Sequence, residues 1–359
     1  MTKLDPEAFA ALLCDWCLEV APGQQVMVVT TTNAEPAVTA LHAAILDRDA
    51  WPILRVTPPS IGAQFYRHAH DRHLDGFAPV ELAEVQSVEA FVSIDAPSNT
   101  SALAGTDPAL LTRAAAGRVS IRETRLRRRW ASTIWPTPAL AQRAGMSEAD
   151  YETFVAGALF LDRPDPAAAW GALSQRQAAL VTRLSAARQI RIEADGTDIT
   201  LDVGGRTWMN SDGRRNMPSG EVFTGPHERS ANGTIRFTVP SSRGATVSDV
   251  TLTFEDGEVV AATAEQGQEQ LDAALATDAG ARFLGELGIG TNVGIDRATG
   301  STLLDEKMAG TVHLALGRSY PETGGTNVSA LHWDLICDLR RRGGLSADGD
   351  PVVVDGALV

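Results

Sequence analysis

Six potential metal ligands are concentrated between Ser219 and Asp334 of this chain. They are two histidines and four acids: Glu221, Glu286, Glu306, His313, His332 and Asp334. Imidazole and carboxylate groups are the ligand types of Zn²⁺, Co²⁺, Mn²⁺ and Fe²⁺ in proteins. Six of them are too many for one structural ion. They suit two ions a few ångströms apart, an arrangement used by hydrolases that hold both the attacking and the leaving atoms.

The spacing of the last ligands predicts that they share a surface. His332 and Asp334 are two residues apart, and on an extended segment such side chains point to the same face. His313, Ala315 and Gly317 share one strand face in the same way, and the small residues leave room for an ion or a substrate. Four carboxylates balance the charge of two divalent ions, so we expect bound metal to stabilise the fold.

Glycines precede the first two ligands. Gly220 comes before Glu221 and Gly285 before Glu286. Glycine adopts backbone conformations that other residues avoid. The pattern therefore predicts that both carboxylates are presented from tight turns.

The first half of the chain has the texture of a parallel α/β sheet, because apolar runs of strand length alternate with amphipathic segments of helix length. Strands are predicted at 26–30, 52–56, 90–94 and 118–122, and helices at 6–20, 35–46, 61–73, 80–88 and 108–116. The turn after the first strand, Thr31–Pro36, contains no glycine. A dinucleotide needs close backbone approach there, so a doubly wound sheet without a nucleotide site is expected.

The second half has a different texture. Residues 138–187 are helical in pattern, and the next segments alternate apolar and polar residues as antiparallel strands do. Asp195-Gly196 predicts a hairpin between two of these strands. We therefore predict an α/β fold class with two domains: an N-terminal doubly wound parallel-sheet domain with a helical connector over 1–187, and a C-terminal α+β metal-binding catalytic domain over 188–359.

Composition narrows the function classes. The chain has 359 residues and a net charge of −14, which argues against a nucleic acid partner. No apolar run reaches membrane-spanning length, so no membrane partner is expected. The N-terminus lacks the features of a signal peptide, which predicts a cytoplasmic protein. Cys14 and Cys17 form a C-x-x-C pair inside a predicted helix, where they are interpreted as core residues.

Several stretches resemble one enzyme family. Asn216–Thr224, Leu287–Asn292 and Ala315–Gly325, continuing through His332–Asp334, closely resemble the aminopeptidase T / aminopeptidase S family of thermophilic-type, cytosolic, dinuclear metallo-aminopeptidases. The similarity of motifs covers about residues 206–338. It implies the six residues above as metal ligands and Tyr320, seven residues after His313, as the catalytic tyrosine.

The resemblance also implies an activity. Two divalent ions per chain, Zn, Co or Mn, would hold a bridging water that attacks the first peptide bond of a substrate with a free N-terminus. Tyr320 would donate a hydrogen bond to the oxyanion. An acid that is not a ligand would carry the proton, and the sequence does not identify it. The family resemblance further implies a homodimer and a broad, often leucine-like preference.

Two alternatives stay open at this point. The first concerns Glu306, which lies farther from His313 than in well-known family members; Met308 occupies the closer spacing, and Asp305 is a rival ligand. The second concerns the reaction, because His313, His332 and Asp334 alone form the two-histidine, one-carboxylate set of non-haem Fe(II) oxygenases. A ring-cleaving dihydroxypyridine-type dioxygenase with one Fe(II) is therefore the alternative function. The glutamates at 221, 286 and 306 favour the two-metal peptidase.

Overall fold

A computed structural model describes residues 4–242 and 245–359 of the chain. The chain forms two compact units, of which the first comprises Met1–Ala169 with Gly213–Pro218 and the second Trp170–Asp212 with Ser219–Val359. The domain boundary after residue 187 stays a prediction. Within the described residues, the helices are too short or too polar to cross a membrane.

Most helices lie in the first unit. Several begin at a proline that follows a capping side chain, as at Pro6, where the Asp5 carboxylate accepts hydrogen bonds from the Glu7 and Ala8 amides. The α-helices are α1 (Pro6–Leu12), α2 (Glu35–Leu46), α3 (Ile61–His68), α4 (Asp71–Leu74), α5 (Pro79–Ser87), α6 (Pro108–Gly117), α7 (Val119–Leu126), α8 (Pro138–Arg143), α9 (Glu148–Ala158), α10 (Pro166–Ser185), α11 (Gln268–Leu275) and α12 (Thr302–Asp305).

Of the nineteen described strands, five lie in the first unit and the others in the second. The first strands are β1 (Gln25–Thr31), β2 (Trp51–Thr57), β3 (Ala90–Asp95), β4 (Arg129–Ile134), β5 (Gln189–Ala194), β6 (Thr197–Asp202), β7 (Met209–Ser211), β8 (Asn216–Met217) and β9 (Glu221–Thr224). The later strands are β10 (Asn232–Phe237), β11 (Ser241–Ser242), β12 (Thr246–Glu255), β13 (Glu258–Gln266), β14 (Leu284–Gly290), β15 (Thr311–Gly317), β16 (His332–Asp338), β17 (Gly344–Ala347), β18 (Asp350–Val354) and β19 (Ala357–Leu358).

The first unit contains a five-stranded sheet in the order β2-β1-β3-β4-β8. All four pairings in it are parallel. Three consecutive residues of β1, Val26, Met27 and Val28, are buried, so both faces of this strand are covered. The predicted α/β class with a parallel sheet is confirmed.

Three details of the predicted elements are wrong. Residues 118–122 are not a strand but lie largely in helix α7, and the strand follows at β4. Alternation over so few residues fits either element, and Ile121 packs on the cluster around Phe91 from a helix. The predicted helix over 61–73 is divided into α3 and α4. The first helix ends as a π-helix over Leu13–Cys17, in which both cysteines are buried as expected.

The second unit contains two sheets that share one hydrophobic core. The larger has the order β11-β12-β10-β6-β5-β17-β18-β19, with β13 beside β12. It includes the predicted hairpin of β5 and β6. The smaller, called the site sheet below, has the order β16-β15-β14-β9-β7 and is antiparallel. The predicted α+β character of this half is confirmed.

Candidate metal centre

Five of the six predicted ligands lie on one face of the site sheet. The register places Glu286 opposite Ala315, and Ala315 opposite Asp334, on neighbouring strands. His332 lies opposite Gly317 on the same face. Directly opposite residues of antiparallel strands point to the same side. Pairing therefore gathers ligands that are far apart in the sequence.

The other face of the site sheet is part of the core. In β15, Val312, Leu314 and Leu316 belong to the hydrophobic cluster, whereas His313, Ala315 and Gly317 alternate with them. Every residue of β15 is buried. The alternation predicted from the sequence is thus present, with an apolar face inward and the predicted ligands on the other side.

A β-bulge turns Glu286 toward the site. Leu284 belongs to the core cluster, and in a regular strand Glu286, two residues later, would also point there. The register of β14 shifts between Leu284 and Glu286, so the extra residue puts the carboxylate on the ligand face. A Cβ on the intervening Gly285 would lie 2.4 Å from the Arg318 carbonyl oxygen. Glu286 is therefore presented from a bulged strand, not from the predicted tight turn.

Glycine also makes room for a ligand ring. A Cβ on Gly288 would lie 2.1 Å from Cε1 and 2.2 Å from Nε2 of His313, so the imidazole crosses directly over the backbone of β14. Gly220 has φ +115°, and a Cβ there would lie 2.7 Å from Cβ of Asn292. Gly220 therefore has a backbone conformation that favours glycine, whereas a tight turn before Glu221 stays a prediction, and Glu221 itself begins β9.

The Glu286 carboxylate lies between the two histidines. Its Oε1 is 3.6 Å from Nε2 of His313, and its Oε2 is 3.4 Å from Nε2 of His332. Two groups with the spacing of metal ligands result, and they share Glu286. The inner group is Glu221, Glu286 and His313, and the outer group is Glu286, His332 and Asp334. Within each group the ligand atoms lie within 4.8 Å of one another.

Buried polar atoms in the inner group lack hydrogen bonds. Both ring nitrogens of His313 and Oε2 of Glu221 are buried without a partner. The 3.5 Å between His313 Nε2 and Glu221 Oε2 is too long for a good hydrogen bond. It suits two ligands of one ion, since each would lie about 2.0–2.2 Å from the metal. The residues therefore fit a divalent cation, which would satisfy atoms that are costly to leave unpaired.

The outer group is oriented by the loop after β15. His332 Nδ1 is 2.8 Å from the carbonyl oxygen of Arg318, an acceptor, so Nδ1 carries the proton and donates it. This tautomer leaves the lone pair of Nε2 for a metal. The hydroxyl of Tyr320 is 3.4 Å from that Nε2, and its ring also packs edge-on against Phe223. Tyr320 therefore borders the outer group.

Glu306 is the one predicted ligand outside both groups. Its carboxylate contacts the ammonium of Lys307, whose Nζ is also 3.0 Å from Oε1 of Glu221. The Lys307 side chain is 0% exposed. Glu306 thus lies next to the inner group through a buried cation, and its role as a ligand stays a prediction.

Asp305, the rival of Glu306, has a different set of partners. Its Oδ1 accepts hydrogen bonds from the amide and the hydroxyl of Thr299, and its Oδ2 accepts one from the amide of Gly300. Asp305 is therefore engaged in holding the loop before α12.

Several acids are buried close together in the site, and burial and their charges shift the pKa values of the site residues. Burial and the charges of Glu306 and Glu286 raise the pKa of Asp334 to about 7. Burial acts to lower the pKa of His313, but the carboxylates of Glu286 and Glu221 outweigh it and raise the pKa to about 10. Burial and the same carboxylates raise the pKa of Tyr320, which keeps its phenol protonated at neutral pH. The site therefore favours added positive charge.

Sequence reasoning missed Lys307 and the residues that hold the backbone of the ligands. Gln177 donates to the carbonyl oxygen of Glu221, at 2.5 Å, and Asn292 donates to that of Ser219, at 2.8 Å. One signal for Lys307 was available. Of the 31 lysine and arginine residues, only Lys3 and Lys307 are lysines, and one of them lies within the ligand motifs.

Comparisons with known proteins identify the family of the chain. The family described as thermophilic metalloprotease (M29) matches residues 3–356. Aminopeptidase 2 of Geobacillus stearothermophilus is 32% identical over 379 residues, which covers 92% of this chain and 91% of that protein. Aminopeptidase T of Thermus aquaticus is 30% identical over 262 residues, 64% of this chain and 60% of that protein.

The fold has a solved counterpart as well. The structure of wild-type AmpT from Thermus thermophilus superposes with a TM-score of 0.84 at 24% identity, covering 99% of this chain and 98% of that one. At this identity the match shows the fold alone. The predicted dioxygenase alternative finds no support among these relatives, which are named aminopeptidases.

Proposed function

The chain belongs to the thermophilic metalloprotease (M29) family and is a metallo-aminopeptidase, and on that premise we propose that the inner and outer groups hold two divalent ions. One observation carries the proposal: the two oxygens of Glu286 face different histidines, at 3.6 and 3.4 Å. A carboxylate in this position is suited to bridge two ions. The proposed ions are Zn²⁺, Co²⁺ or Mn²⁺.

The proposed ligand set is the predicted one. It consists of Glu221, Glu286, Glu306, His313, His332 and Asp334. Burial of the inner and outer groups supports it, because an ion binds strongly where water does not compete. Glu306 is the outlying member, because one of its oxygens is paired with Lys307 and it lies outside both groups.

Two bound ions would supply polarisation of the scissile carbonyl and an acidified water. The chain's own residues do the positioning. The Arg318 carbonyl oxygen fixes the ring of His332 through Nδ1. Tyr320 keeps its proton and presents the hydroxyl at the border of the outer group, where it would donate a hydrogen bond to the oxyanion.

Peptides with a free N-terminus are the proposed substrates. The names of the relatives support this class. A leucine-like preference stays a prediction.

A homodimer and a cytoplasmic location complete the proposal. Both follow from the family resemblance of the motifs. Light scattering on the purified full-length protein is expected to give twice the mass of one chain, which is 38.1 kDa.

Elemental analysis and one assay test the proposed function. Purified protein supplied with Co²⁺ or Zn²⁺ is expected to retain about two ions per chain and to cleave leucine p-nitroanilide. A chelator should abolish cleavage, and added metal should restore it. Cleavage that survives complete removal of metal would refute the proposal.

A further inference from the structure

We propose that Lys307 makes the two metal positions unequal, because its ammonium is a fixed cation beside the inner group. The outer group would then bind its ion first and tightly, and the inner group would bind the second ion weakly. This inference rests on the proposed function. It concerns how the same site takes up metal.

Lys307 is held in place by its backbone as well as by its charge. Its carbonyl oxygen accepts a hydrogen bond from the amide of Asn292 at 3.0 Å, and its own amide donates to Leu304 at 3.1 Å. The next carbonyl, of Met308, lies so close to β14 that a Cβ on Gly290 would be 2.1 Å from it. The fully buried side chain therefore cannot leave unless this segment opens.

The ammonium competes for a ligand of the inner group. Oε1 of Glu221 is 3.0 Å from Nζ of Lys307, which leaves Oε2 for an ion shared with His313. The ion pairs of Lys307 among the described residues are with Glu221 and Glu306. The ligands of the outer group lie in contact with one another and with Tyr320, so the outer group keeps its full set of donors.

The charge of the site is also less favourable for the second ion than for the first. When ionised, the four acids carry four negative charges, and Lys307 carries one positive charge in contact with Glu221 and Glu306. The first divalent ion therefore meets a net charge of three negative units, whereas the second meets only one. The balance of four carboxylates with two ions that the sequence suggests omits this lysine. A second ion must therefore enter against a like charge at short range.

Titration with Co²⁺ alone tests the inference. Full-length protein stripped of metal is expected to bind two ions with dissociation constants that differ by at least about 100-fold, as a close like charge implies. Lys307→Met keeps the length of the side chain without its charge. It should tighten the second step by about 10-fold or more and leave the first step nearly unchanged. Met308→Leu alters the neighbouring buried residue without a change of charge, and should titrate as the original chain does.

The outcomes separate this inference from the proposed function. An unchanged second step in a folded Lys307→Met variant would overturn the inference, although two ions and peptide cleavage would still stand. Equal affinity of the two steps in the original chain would overturn it as well. A chain that binds no Co²⁺ and cleaves no leucine p-nitroanilide would instead remove the proposed function itself.

A second measurement needs no variant. The chain has two lysines, Lys3 and Lys307, so protein labelled with ¹⁵N-lysine gives two side-chain amine signals. Lys307 is the lysine among the described residues, and its side chain is fully buried. Addition of Zn²⁺ should leave the Lys307 signal nearly in place through the first equivalent and move it through the second. A signal that completes its movement with the first equivalent would contradict the proposed order.

Discussion

The two five-stranded sheets of this molecule bury different kinds of residue. In the parallel sheet of the first unit, consecutive residues of β1 such as Val26, Met27 and Val28 fill both faces with apolar groups. In the site sheet, β15 is just as buried, but one of its faces presents His313 among small residues. Among the described residues, the parallel sheet leaves one buried side-chain atom without a hydrogen bond, Oγ1 of Thr133 in β4. The site sheet gathers three such atoms in the inner group, where one ion could satisfy them.

This difference indicates where function resides. A buried polar atom without a hydrogen bond costs free energy of folding. The inner group contains three such atoms, on His313 and Glu221. These three atoms lie together on imidazole and carboxylate groups, and a cation is the ligand that fits both groups. Five predictions test this contrast between the parallel sheet and the site sheet.

Glu286→Gln is expected to have the largest effect. The shared carboxylate serves both groups, so loss of its charge should weaken both ions and lower kcat/KM for leucine p-nitroanilide by on the order of 10³. Metal content measured on the same sample should fall with activity. Asp95→Asn, at the end of β3 in the parallel sheet, is the matched control and should change neither. Full metal content in Glu286→Gln would show that the groups are wrongly assigned.

Tyr320→Phe should lower kcat by about 10², the size expected for one lost donor to an oxyanion. Metal content should stay at the level of the original chain, because Tyr320 borders the outer group without belonging to it. Tyr66→Phe, on α3 of the first unit, is the control. A drop in bound metal without a drop in kcat would make Tyr320 a structural residue.

Removal of metal should loosen one sheet more than the other. A ligand present at 100 times its dissociation constant stabilises the folded state by about 2.7 kcal/mol. Hydrogen exchange after chelation should therefore speed up at β14 and β15 and change little at β1 and β3. Equal acceleration in both sheets would contradict a contribution of metal that is local to the site sheet.

Gly288→Ala should weaken metal binding by about 10- to 100-fold, as loss of ligand orientation does. The new Cβ would overlap the His313 ring, at 2.1 Å from Cε1, and push it away from the inner group. Gly62→Ala on α3 adds a methyl group with no neighbour within 4 Å and should be silent. Unchanged Co²⁺ affinity in Gly288→Ala would mean that His313 is not a ligand.

Glu228→Gln should have the smallest effect, and it should depend on pH. Burial acts to raise the pKa of Glu228, but hydrogen bonds from Thr326 and the charge of Arg206 outweigh it and lower the pKa. A lowered folded-state pKa adds stability above the unfolded pKa, and this stability is lost as pH falls through the folded value. The variant should lose about 1–2 kcal/mol at pH 7 and match the original chain in strong acid, as urea unfolding would measure.

The matched control for Glu228 lies in the first unit. Asp75 also has a pKa that is lowered by an arginine, Arg113, but the pair is exposed. Asp75→Asn should therefore change stability less than Glu228→Gln at neutral pH. A larger effect of Asp75→Asn would argue against the loop contact of Glu228 as a stabilising feature.

Much of the fold can be predicted from the sequence because the patterns that indicate helices, strands and turns are local. The alternation of helix and strand lengths predicts the parallel sheet, and Asp195-Gly196 predicts the hairpin of β5 and β6. The strand predicted at 118–122 is wrong because four or five alternating residues do not distinguish a strand from a helix that packs on one side. The break between α3 and α4 was missed for a similar reason, since both pieces continue the same periodic pattern.

The sequence by itself determined the chemistry: the ligand types, the shared face of His332 and Asp334, and the family motifs that make the chain an aminopeptidase. Only the tertiary structure decided how the proposed ligands are divided into an inner and an outer group. The bulge at Gly285 reverses the face on which Glu286 lies, and cross-strand register then places it between two histidines. Only the structure shows that Lys307 is buried against Glu221. Side-chain type is local information, whereas register, bulges and buried ion pairs depend on which distant segments pack together.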